Sequence, residues 1–300
     1  MPTAYVFPGQ GSQFVGMGAA LAALRPVMKG YFQRADAVLG FSLSALCWQG
    51  PEEALSDTLN TQPAIFTHSV AAYHMVEMSG EVEPPAFMAG HSLGELSALC
   101  AAGALTFEDG LKLARERGRL MKAAGEQAPG GMAAIIGLDA ERLQRVCEEA
   151  SRAHPLGVVV ANDNAPGQIV ISGGKEAVAA ACELAKAAGA KRAIPLNVSI
   201  AAHSPLMAPA RDDFARAVAN TPIQPARVPI VANTTAQPIV HPDDIRAELT
   251  AQLTAPVRWV ESVRYMHAQG VTHFVEVGPK DVLCGLIRRI LDTVETRAIG

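Results

Sequence analysis

One short stretch, Ala86 to Glu95, constrains the fold more than any other part of the chain. It begins as an apolar strand, passes through Gly-His-Ser-Leu-Gly and leads into an apolar helix predicted over Leu96 to Ala102. A serine between two glycines at a strand-to-helix turn lies on a sharp bend, with its hydroxyl held away from the backbone. Gly90 and Gly94 leave room for the helix to pack closely on the strand. The pattern predicts a nucleophilic serine, Ser92. It also places the helix N-terminus where it can stabilise an oxyanion that develops in the reaction.

Composition limits the class of protein. The chain has 300 residues, of which 49% are hydrophobic and 18% charged, so a sizeable buried core is expected. The net charge of −4 argues against a nucleic-acid-binding protein, which usually needs a basic surface. The five scattered cysteines contain no Cys-x-x-Cys pair, and we interpret them as buried thiols of a reducing compartment. Because neither a signal peptide nor a membrane span is recognisable, we expect a cytoplasmic protein.

Alternating strands and helices in the two outer parts of the chain predict a doubly wound, mostly parallel sheet. The strands are predicted at 4–7, 86–90, 228–232 and 273–277. The helices are predicted at 17–39 with a break at Pro26, 64–78 opened by Pro63, 96–102, 107–124, 205–219, from Pro242, 256–269 and 280–291.

The middle of the chain has a different pattern. After a flexible stretch at 127–131, the order is strand 132–136, helix 140–150, strands 158–162 and 168–172, helix 175–188 and strand 191–195. This β-α-β-β-α-β order is typical of a ferredoxin-like unit. We therefore predict an α/β protein in which residues 1–129 and 199–300 form a large catalytic domain with an α/β-hydrolase-like elbow. Residues 130–198 are predicted to form a smaller ferredoxin-like domain inserted into it.

A serine hydroxyl becomes a good nucleophile only when a base removes its proton. His91 adjoins Ser92, but adjacent side chains at a tight bend diverge. His203 follows a strand-like run at the predicted domain junction, where a cleft can form, and is the better candidate from its position. Most of the other histidines lie in helical patterns or loops and are interpreted as structural.

Seven stretches, in this order, resemble one family. They are Phe7-Pro8-Gly9-Gln10-Gly11-Ser12-Gln13, Gly90 to Glu95, Arg117-Gly118-Arg119-Leu120-Met121, Asn162 to Gln168, His203-Ser204-Pro205-Leu206-Met207, Gln252 to Trp259, and Glu276-Val277-Gly278-Pro279. Together they resemble the malonyl-CoA:acyl carrier protein transacylases, including the acyltransferase domains of polyketide and fatty-acid synthases. The resemblance implies malonyl-CoA as acyl donor and the phosphopantetheine thiol of an acyl carrier protein as acceptor, with no bound cofactor or metal.

The resemblance also implies roles for individual residues. Ser92 would be the acylated nucleophile and His203 its base. The histidine would be oriented by a backbone carbonyl near Gln252 rather than by an aspartate, which still fits the general arrangement of nucleophile, base and orienting group. The oxyanion would accept hydrogen bonds from the backbone N–H groups of Gln10 and Leu93.

Arg117 is the residue expected to set the substrate class. It lies one helical turn before Met121, so both side chains face the same way, and its guanidinium matches a carboxylate with two parallel hydrogen bonds. His91 is expected beside the bound acyl group. Many malonyl-specific relatives carry phenylalanine immediately before the histidine, where this chain has Ala202. The open space suggests the hypothesis that an α-substituted malonyl group, as in methylmalonyl-CoA, is accepted.

Acyl carrier proteins of this kind are acidic, so a basic docking surface is expected. We expect the enzyme itself to be a monomer. The candidate docking residues are Lys112, Arg115, Arg119, Lys191, Arg192, Arg288 and Arg289. The setting is expected to be fatty-acid synthesis, with a trans-acting polyketide acyltransferase or a malonate decarboxylase subunit as alternatives.

Two other functions compete with this one. The first is a serine hydrolase of the α/β-hydrolase type, for which Asp163 would be the acid of the triad. The second is a carrier-protein-binding subunit without activity, against which the complete set of Gln10, Ser92, Arg117 and His203 argues.

Overall fold

A computed structural model describes residues 2–80 and 82–300. The strands are β1 (Thr3–Phe7), β2 (Pro85–Gly90), β3 (Gly130–Ile136), β4 (Val158–Ala165), β5 (Gln168–Gly174), β6 (Arg192–Pro195), β7 (Ile230–Val231), β8 (Pro238–Ile239), β9 (His273–Val277) and β10 (Glu295–Ile299). The helices are α1 (Ala19–Leu24), α2 (Pro26–Leu39), α3 (Leu43–Gln49), α4 (Glu52–Ser56), α5 (Thr58–Ser79), α6 (Gly94–Ala101), α7 (Phe107–Gln127), α8 (Ala140–Ala153), α9 (Lys175–Ala187), α10 (Ala208–Ala219), α11 (Pro242–Ala251), α12 (Trp259–Ala268) and α13 (Val282–Ile290), with a 3₁₀ turn at Pro205–Met207.

The larger sheet has the strand order β10-β9-β1-β2-β7-β8. All neighbouring pairs are parallel except β7 and β8, which are antiparallel. The prediction of a mostly parallel sheet in an α/β fold is therefore confirmed. The two edge strands were not predicted, because β8 has only two residues and β10 is a largely exposed, polar segment.

The smaller sheet has the order β4-β5-β3-β6, and all its pairs are antiparallel. The chain passes through it as β3-α8-β4-β5-α9-β6, which is the predicted ferredoxin-like order. Its strands and the two helices enclose a core of their own, which includes Ile135, Leu143 and Ile171. Parallel pairing of Asn162 with Val257 connects this sheet to the rest of the chain. The exact boundaries at 129/130 and 198/199 stay a prediction.

The sheet register places the ends of three neighbouring strands side by side. Phe7, the last residue of β1, pairs with Gly90, the last residue of β2, and β7 lies on the other side of β2. The carboxyl ends of parallel strands form the usual ligand-binding edge of such a sheet. Glycine is required here: a Cβ on Gly94 would lie 2.0 Å from the Phe7 carbonyl oxygen, and one on Gly90 would lie 1.9 Å from the Gly94 carbonyl carbon. The elbow therefore packs directly on the β1 backbone.

Helix α5 begins earlier than the sequence predicts. It starts at Thr58, where the Asp57 side chain accepts from the Leu59 N–H at 3.0 Å, and Pro63 lies inside it rather than at its start. A proline inside a helix leaves the carbonyl four residues earlier without its N–H donor. Here the Arg115 Nη1 donates to that carbonyl, Leu59 O, at 2.8 Å. Arg115, a candidate docking residue in the sequence analysis, is thus engaged within the fold.

The basic residues of helix α7 do not all lie where the sequence pattern indicates. We expected its basic residues on exposed positions, but Arg117 is only 3% exposed and lies on the buried face with Gly118 and Met121. A Cβ on Gly118 would meet the Thr58 carbonyl oxygen at 2.6 Å, so α7 crosses α5 at close range. Within the described part of the chain, none of the helices has the length and apolar character needed to span a membrane.

The contact between Arg115 and Leu59 generates a prediction about stability. Arg115→Met keeps the apolar stem but leaves the Leu59 carbonyl without its donor, which should lower the free energy of unfolding by about 1–3 kcal/mol. In a Pro63→Ala background, the new backbone N–H can satisfy Leu59, so the same substitution should cost less. Urea denaturation of the wild type, Arg115→Met, Pro63→Ala and the double variant measures the free energy of unfolding lost in each background. An equal loss in both backgrounds would contradict the assignment.

Candidate active site

Ser92 lies at the elbow between β2 and α6 in a left-handed backbone conformation, with φ of 53°. This conformation is uncommon for residues other than glycine and marks local strain. The Ser92 N–H donates to the Asn233 Oδ1 at 2.8 Å, which holds the bend in place. The hydroxyl Oγ lies 2.8 Å from His203 Nε2.

His203 is also in the left-handed region, with φ of 60°, and its N–H donates to Leu253 O at 3.1 Å. Its Nδ1 lies 2.8 Å from Gln252 O and 3.2 Å from Ala255 O. Because a carbonyl only accepts hydrogen bonds, the proton is on Nδ1, and Nε2 is free to accept from the Ser92 hydroxyl. Burial, reinforced by the charge of Arg117, lowers the pKa of His203 to about 3, so the ring is neutral at pH 7.

Arg117 reaches the same hydroxyl from the other side. Its Nη2 donates to Ser92 Oγ at 3.1 Å and to Gln252 Oε1 at 2.9 Å, while Nη1 donates to Gln62 Oε1 at 2.9 Å. Burial lowers the pKa of Arg117 to about 10, so the guanidinium still carries its charge at neutral pH. Met121 meets it through Gln62, whose Nε2 lies 3.3 Å from the Met121 sulfur. The cation is thus fixed within hydrogen-bonding distance of the nucleophile.

Two backbone N–H groups at the elbow and in the loop packed on it are free to donate to a ligand. Those of Gln10 and Leu93 make no hydrogen bond to any described residue. The loop of Gln10 packs against the elbow, because a Cβ on Gly9 would lie 2.4 Å from the His91 carbonyl oxygen. Gln10 also lines a cleft of about 690 Å³, whose walls include Lys122 of α7 and Lys175 of α9.

The remaining predicted residues lie around this centre. His91 Nε2 shares a hydrogen bond of 2.7 Å with Asn164 Oδ1, and its ring lies edge-on to Trp259, so it is turned away from Ser92. Burial lowers the pKa of His91. Ala202 is buried immediately before His203.

No carboxylate of residues 2–80 or 82–300 forms a hydrogen bond with His203. The Asp163 N–H donates to Val257 O, and the side chain makes no bond to the histidine. The acid expected of an α/β-hydrolase triad is therefore missing from this position. Across the same described ranges, no cluster of three or more His, Cys, Asp or Glu side chains could hold a metal ion.

Four polar residues of the site were not singled out from the sequence: Gln62, Glu95, Asn164 and Asn233. Two of them carried a usable signal. Glu95 is an acid at the start of an otherwise apolar helix. Asn233 directly follows a predicted strand, at the edge of the sheet where ligands bind. Gln62 and Asn164 carry no comparable signal, because their role depends on how α5 and β4 pack against the elbow.

Comparison with known proteins identifies the family. The model of the acyl transferase domain matches residues 4–298. A malonyl CoA-acyl carrier protein transacylase of Escherichia coli is 49% identical over 297 residues, which is 99% of this chain and 95% of that protein. An acyl carrier protein S-malonyltransferase from Vibrio cholerae superposes with a TM-score of 0.95 at 45% identity, covering 100% of this chain and 97% of the other.

A further solved structure contains a malonyl-transacylase in complex with a type II polyketide-synthase acyl carrier protein. It superposes with a TM-score of 0.96 at 44% identity, covering 99% of this chain and 96% of that one. Together with the family model, these similarities extend over nearly the whole chain and include the strands and helices that carry Ser92, Arg117 and His203. The chain belongs to the acyl transferase domain family.

Proposed function

We propose that the protein transfers a malonyl group from CoA to the phosphopantetheine thiol of an acyl carrier protein, supplying fatty-acid or polyketide synthesis. One observation carries the proposal: the Ser92 hydroxyl lies between a neutral base, His203 Nε2, and a buried cation, Arg117 Nη2, at 2.8 Å and 3.1 Å. The base provides the chemistry of acyl transfer, and the cation selects an acyl group with a carboxylate. Membership of the acyl transferase family and the names of the similar proteins support it.

In the first half of the reaction, Ser92 Oγ attacks the thioester carbonyl while His203 Nε2 takes its proton. The oxyanion accepts hydrogen bonds from the free N–H groups of Gln10 and Leu93, and losing one such donor typically raises the barrier by about 2.7–4 kcal/mol. The carbon–sulfur bond then breaks, and the departing CoA thiolate takes the proton from His203. A malonyl ester on Ser92 remains.

Arg117 has the donors that a malonyl carboxylate needs. Its two terminal nitrogens carry four N–H bonds. Two are given to the amide oxygens of Gln62 and Gln252, and one to Ser92 Oγ. Acylation turns Oγ into a poorly accepting ester oxygen, so the Nη2 donor is released beside a remaining Nη1 donor. Two charged hydrogen bonds of roughly 1.5–3 kcal/mol each would favour malonyl over acetyl by about two to four powers of ten, before desolvation reduces the gain.

In the second half, the phosphopantetheine thiol of the carrier protein gives its proton to His203 and attacks the malonyl ester. Ser92 leaves and recovers its proton from the imidazole. The cycle is ping-pong, and we assign the pantetheine arm to the cleft that Gln10 lines. Every group needed for it comes from one chain, which fits a monomeric enzyme with no bound cofactor.

The serine hydrolase alternative loses support. Its triad needs an acid on the base, whereas His203 Nδ1 is held by the carbonyls of Gln252 and Ala255. The buried charge of Arg117 has no part in simple ester hydrolysis but is required for recognising a diacid.

Intact mass spectrometry tests the proposed function most simply. After brief exposure to malonyl-CoA, the protein should gain one malonyl group, while Ser92→Ala should gain none. Acetyl-CoA should load the same serine far more slowly, because it offers Arg117 no carboxylate. A protein that releases CoA without forming the ester, or that acquires equal amounts of acetyl and malonyl, would contradict the proposal.

Ala202 supports a second proposal, that the site accepts a methyl group on the malonyl α-carbon. One methyl changes binding by only about 1–3 kcal/mol, so kcat/KM for malonyl-CoA should exceed that for methylmalonyl-CoA by less than about a thousandfold. Ala202→Phe, which fills the space beside His203, should raise this ratio by lowering the methylmalonyl rate. A wild-type ratio above about a thousandfold would reject the proposal.

The docking surface for the carrier protein can now be narrowed. Arg115 is held by Leu59 and Asn60, and Arg119 is paired with Glu116. Arg289, in the last turn of α13, donates to the carbonyl of Pro166 at 3.3 Å and to the side chain of Gln168, so its exposed guanidinium lies against the turn that follows β4. We propose that Arg288 and Arg289 form the part of the basic surface that receives the acidic carrier protein, because they lie beside the loop whose Asn164 contacts His91.

Charge reversal tests this surface. Arg288→Glu with Arg289→Glu should raise KM for the acyl carrier protein, because the partner's acidic groups are then repelled. The rate of malonyl loading from malonyl-CoA should stay close to wild type. Arg25→Glu with Lys29→Glu, which reverses two exposed charges outside the candidate docking set, serves as the matched control. Equal KM values for the carrier protein in all three proteins would remove the α13 surface from consideration.

A further inference from the structure

Glu95 is a completely buried carboxylate near the reacting groups that contacts neither Ser92 Oγ nor His203 nor the Arg117 guanidinium. It lies in the first turn of α6, whose other residues are small or apolar. An ionised carboxylate is almost never fully buried unless it is paired or fully hydrogen-bonded. Its presence therefore needs a reason other than the stability of the helix.

All the hydrogen bonds of Glu95 are accepted ones. Oε1 receives the Asn233 N–H at 3.0 Å and the Asn233 Nδ2 at 2.9 Å, and Oε2 receives the Gln252 Nε2. This is the pattern of an ionised group, because a protonated carboxyl must also donate. Burial and the nearby Glu248 carboxylate raise the pKa of Glu95, while the three N–H donors act in the opposite direction. The Glu95 charge also favours the charged form of Arg117.

The first consequence concerns the Gln252 side chain. An amide can lie in either of two orientations that exchange its oxygen and nitrogen, unless its neighbours permit only one. The Glu95 carboxylate and, at 3.1 Å, the Ser92 carbonyl both accept from the nitrogen of Gln252, which turns Oε1 towards Arg117 Nη2 at 2.9 Å. An acceptor on one side and a cation on the other allow a single orientation. The carboxylate therefore fixes the partner that aims Arg117.

The second consequence concerns Asn233. Its Nδ2 donates to Glu95 and to Gly90 O, which leaves Oδ1 to accept from the Ser92 N–H at 2.8 Å. The strained backbone of the nucleophile is thus held by an amide whose orientation also depends on Glu95. The Glu95 carboxylate is therefore connected to the acyl-accepting serine through the amide of Asn233. It is connected to the carboxylate-binding arginine through the amide of Gln252.

We propose that Glu95 is a positioning residue that sets the acyl-group selectivity of the enzyme by orienting the amide of Gln252, and that supports the nucleophile in reaction with either acyl group by orienting the amide of Asn233. The proposal rests on the proposed malonyl transfer. In Glu95→Gln, one oxygen becomes an NH₂ group and meets the N–H donors of its neighbours. Gln252 can then turn its nitrogen towards Arg117, or Asn233 can turn its nitrogen towards the Ser92 N–H. In either case two N–H groups face each other with no acceptor between them.

The experiment measures kcat/KM for loading of Ser92 from malonyl-CoA and from acetyl-CoA. Glu95→Gln should lower the malonyl-to-acetyl ratio about tenfold or more, the effect expected when a charge-assisted hydrogen bond is lost. Gln252→Met removes the amide that bridges Glu95, the Ser92 carbonyl and Arg117, and it should lower the ratio similarly, so the proposal stays testable if Glu95→Gln does not fold. Asn233→Leu should slow both substrates and leave the ratio unchanged.

Glu248→Gln is the matched control. Glu248 is the neighbouring buried carboxylate, but its oxygens bind the Thr234 N–H and hydroxyl. A hydroxyl can turn from donor to acceptor, so this variant should keep both the rates and the ratio. A Glu95→Gln protein that folds, shows a lowered melting temperature and keeps the wild-type ratio would overturn the proposal. Failure of the wild type to form malonyl-Ser92 would instead reject the proposed function, so the two failures are distinguishable.

Discussion

The contact between a buried guanidinium and a nucleophilic hydroxyl is the interaction on which the rest of the site depends. Removing an arginine from water carries a large free-energy cost, which the structure offsets with hydrogen bonds from the guanidinium to the amide oxygens of Gln62 and Gln252 and with the charge of Glu95. Burial lowers the pKa of His203, and the charge of Arg117 lowers it further. A single cation therefore helps to keep the base neutral, holds the serine hydroxyl and leaves donors for a substrate carboxylate.

The fold makes this arrangement possible by bringing three strand ends together. Neighbouring parallel strands β1, β2 and β7 lead into Gln10, Ser92 and Asn233, which supply a free N–H group, the nucleophile and the amide that holds the nucleophile's backbone. Ser92 and His203 both have positive φ values. Such strain persists only where the surroundings over-determine the backbone, and here hydrogen bonds from distant parts of the chain do so.

Much of this could be predicted from local sequence patterns. The elbow at Ser92, the parallel sheet and the β-α-β-β-α-β order follow from short-range periodicity and glycine placement. The start of α5 could not, because Pro63 is tolerated there only through a long-range contact with Arg115. The role of Arg117 followed from the resemblance of the stretch from Arg117 to Met121 to the family, whereas its burial and its contact with Gln62 of α5 could not be predicted from the helical pattern. Gln62 and Asn164 act through contacts between segments far apart in the chain, which no local pattern encodes, whereas the position of Asn233 directly after a predicted strand is a local signal.

The central claim is that one acyl group is held at both ends, by the ester on Ser92 and by the guanidinium of Arg117. The most direct measurement is a crystal structure of the malonyl-enzyme, trapped after reaction with malonyl-CoA in the absence of carrier protein. The account predicts the malonyl carboxylate within hydrogen-bonding distance of Arg117 Nη1 and Nη2, with the ester carbonyl oxygen on the N–H groups of Gln10 and Leu93. A carboxylate directed into the cleft, with Arg117 still bonded only to Gln62 and Gln252, would contradict it.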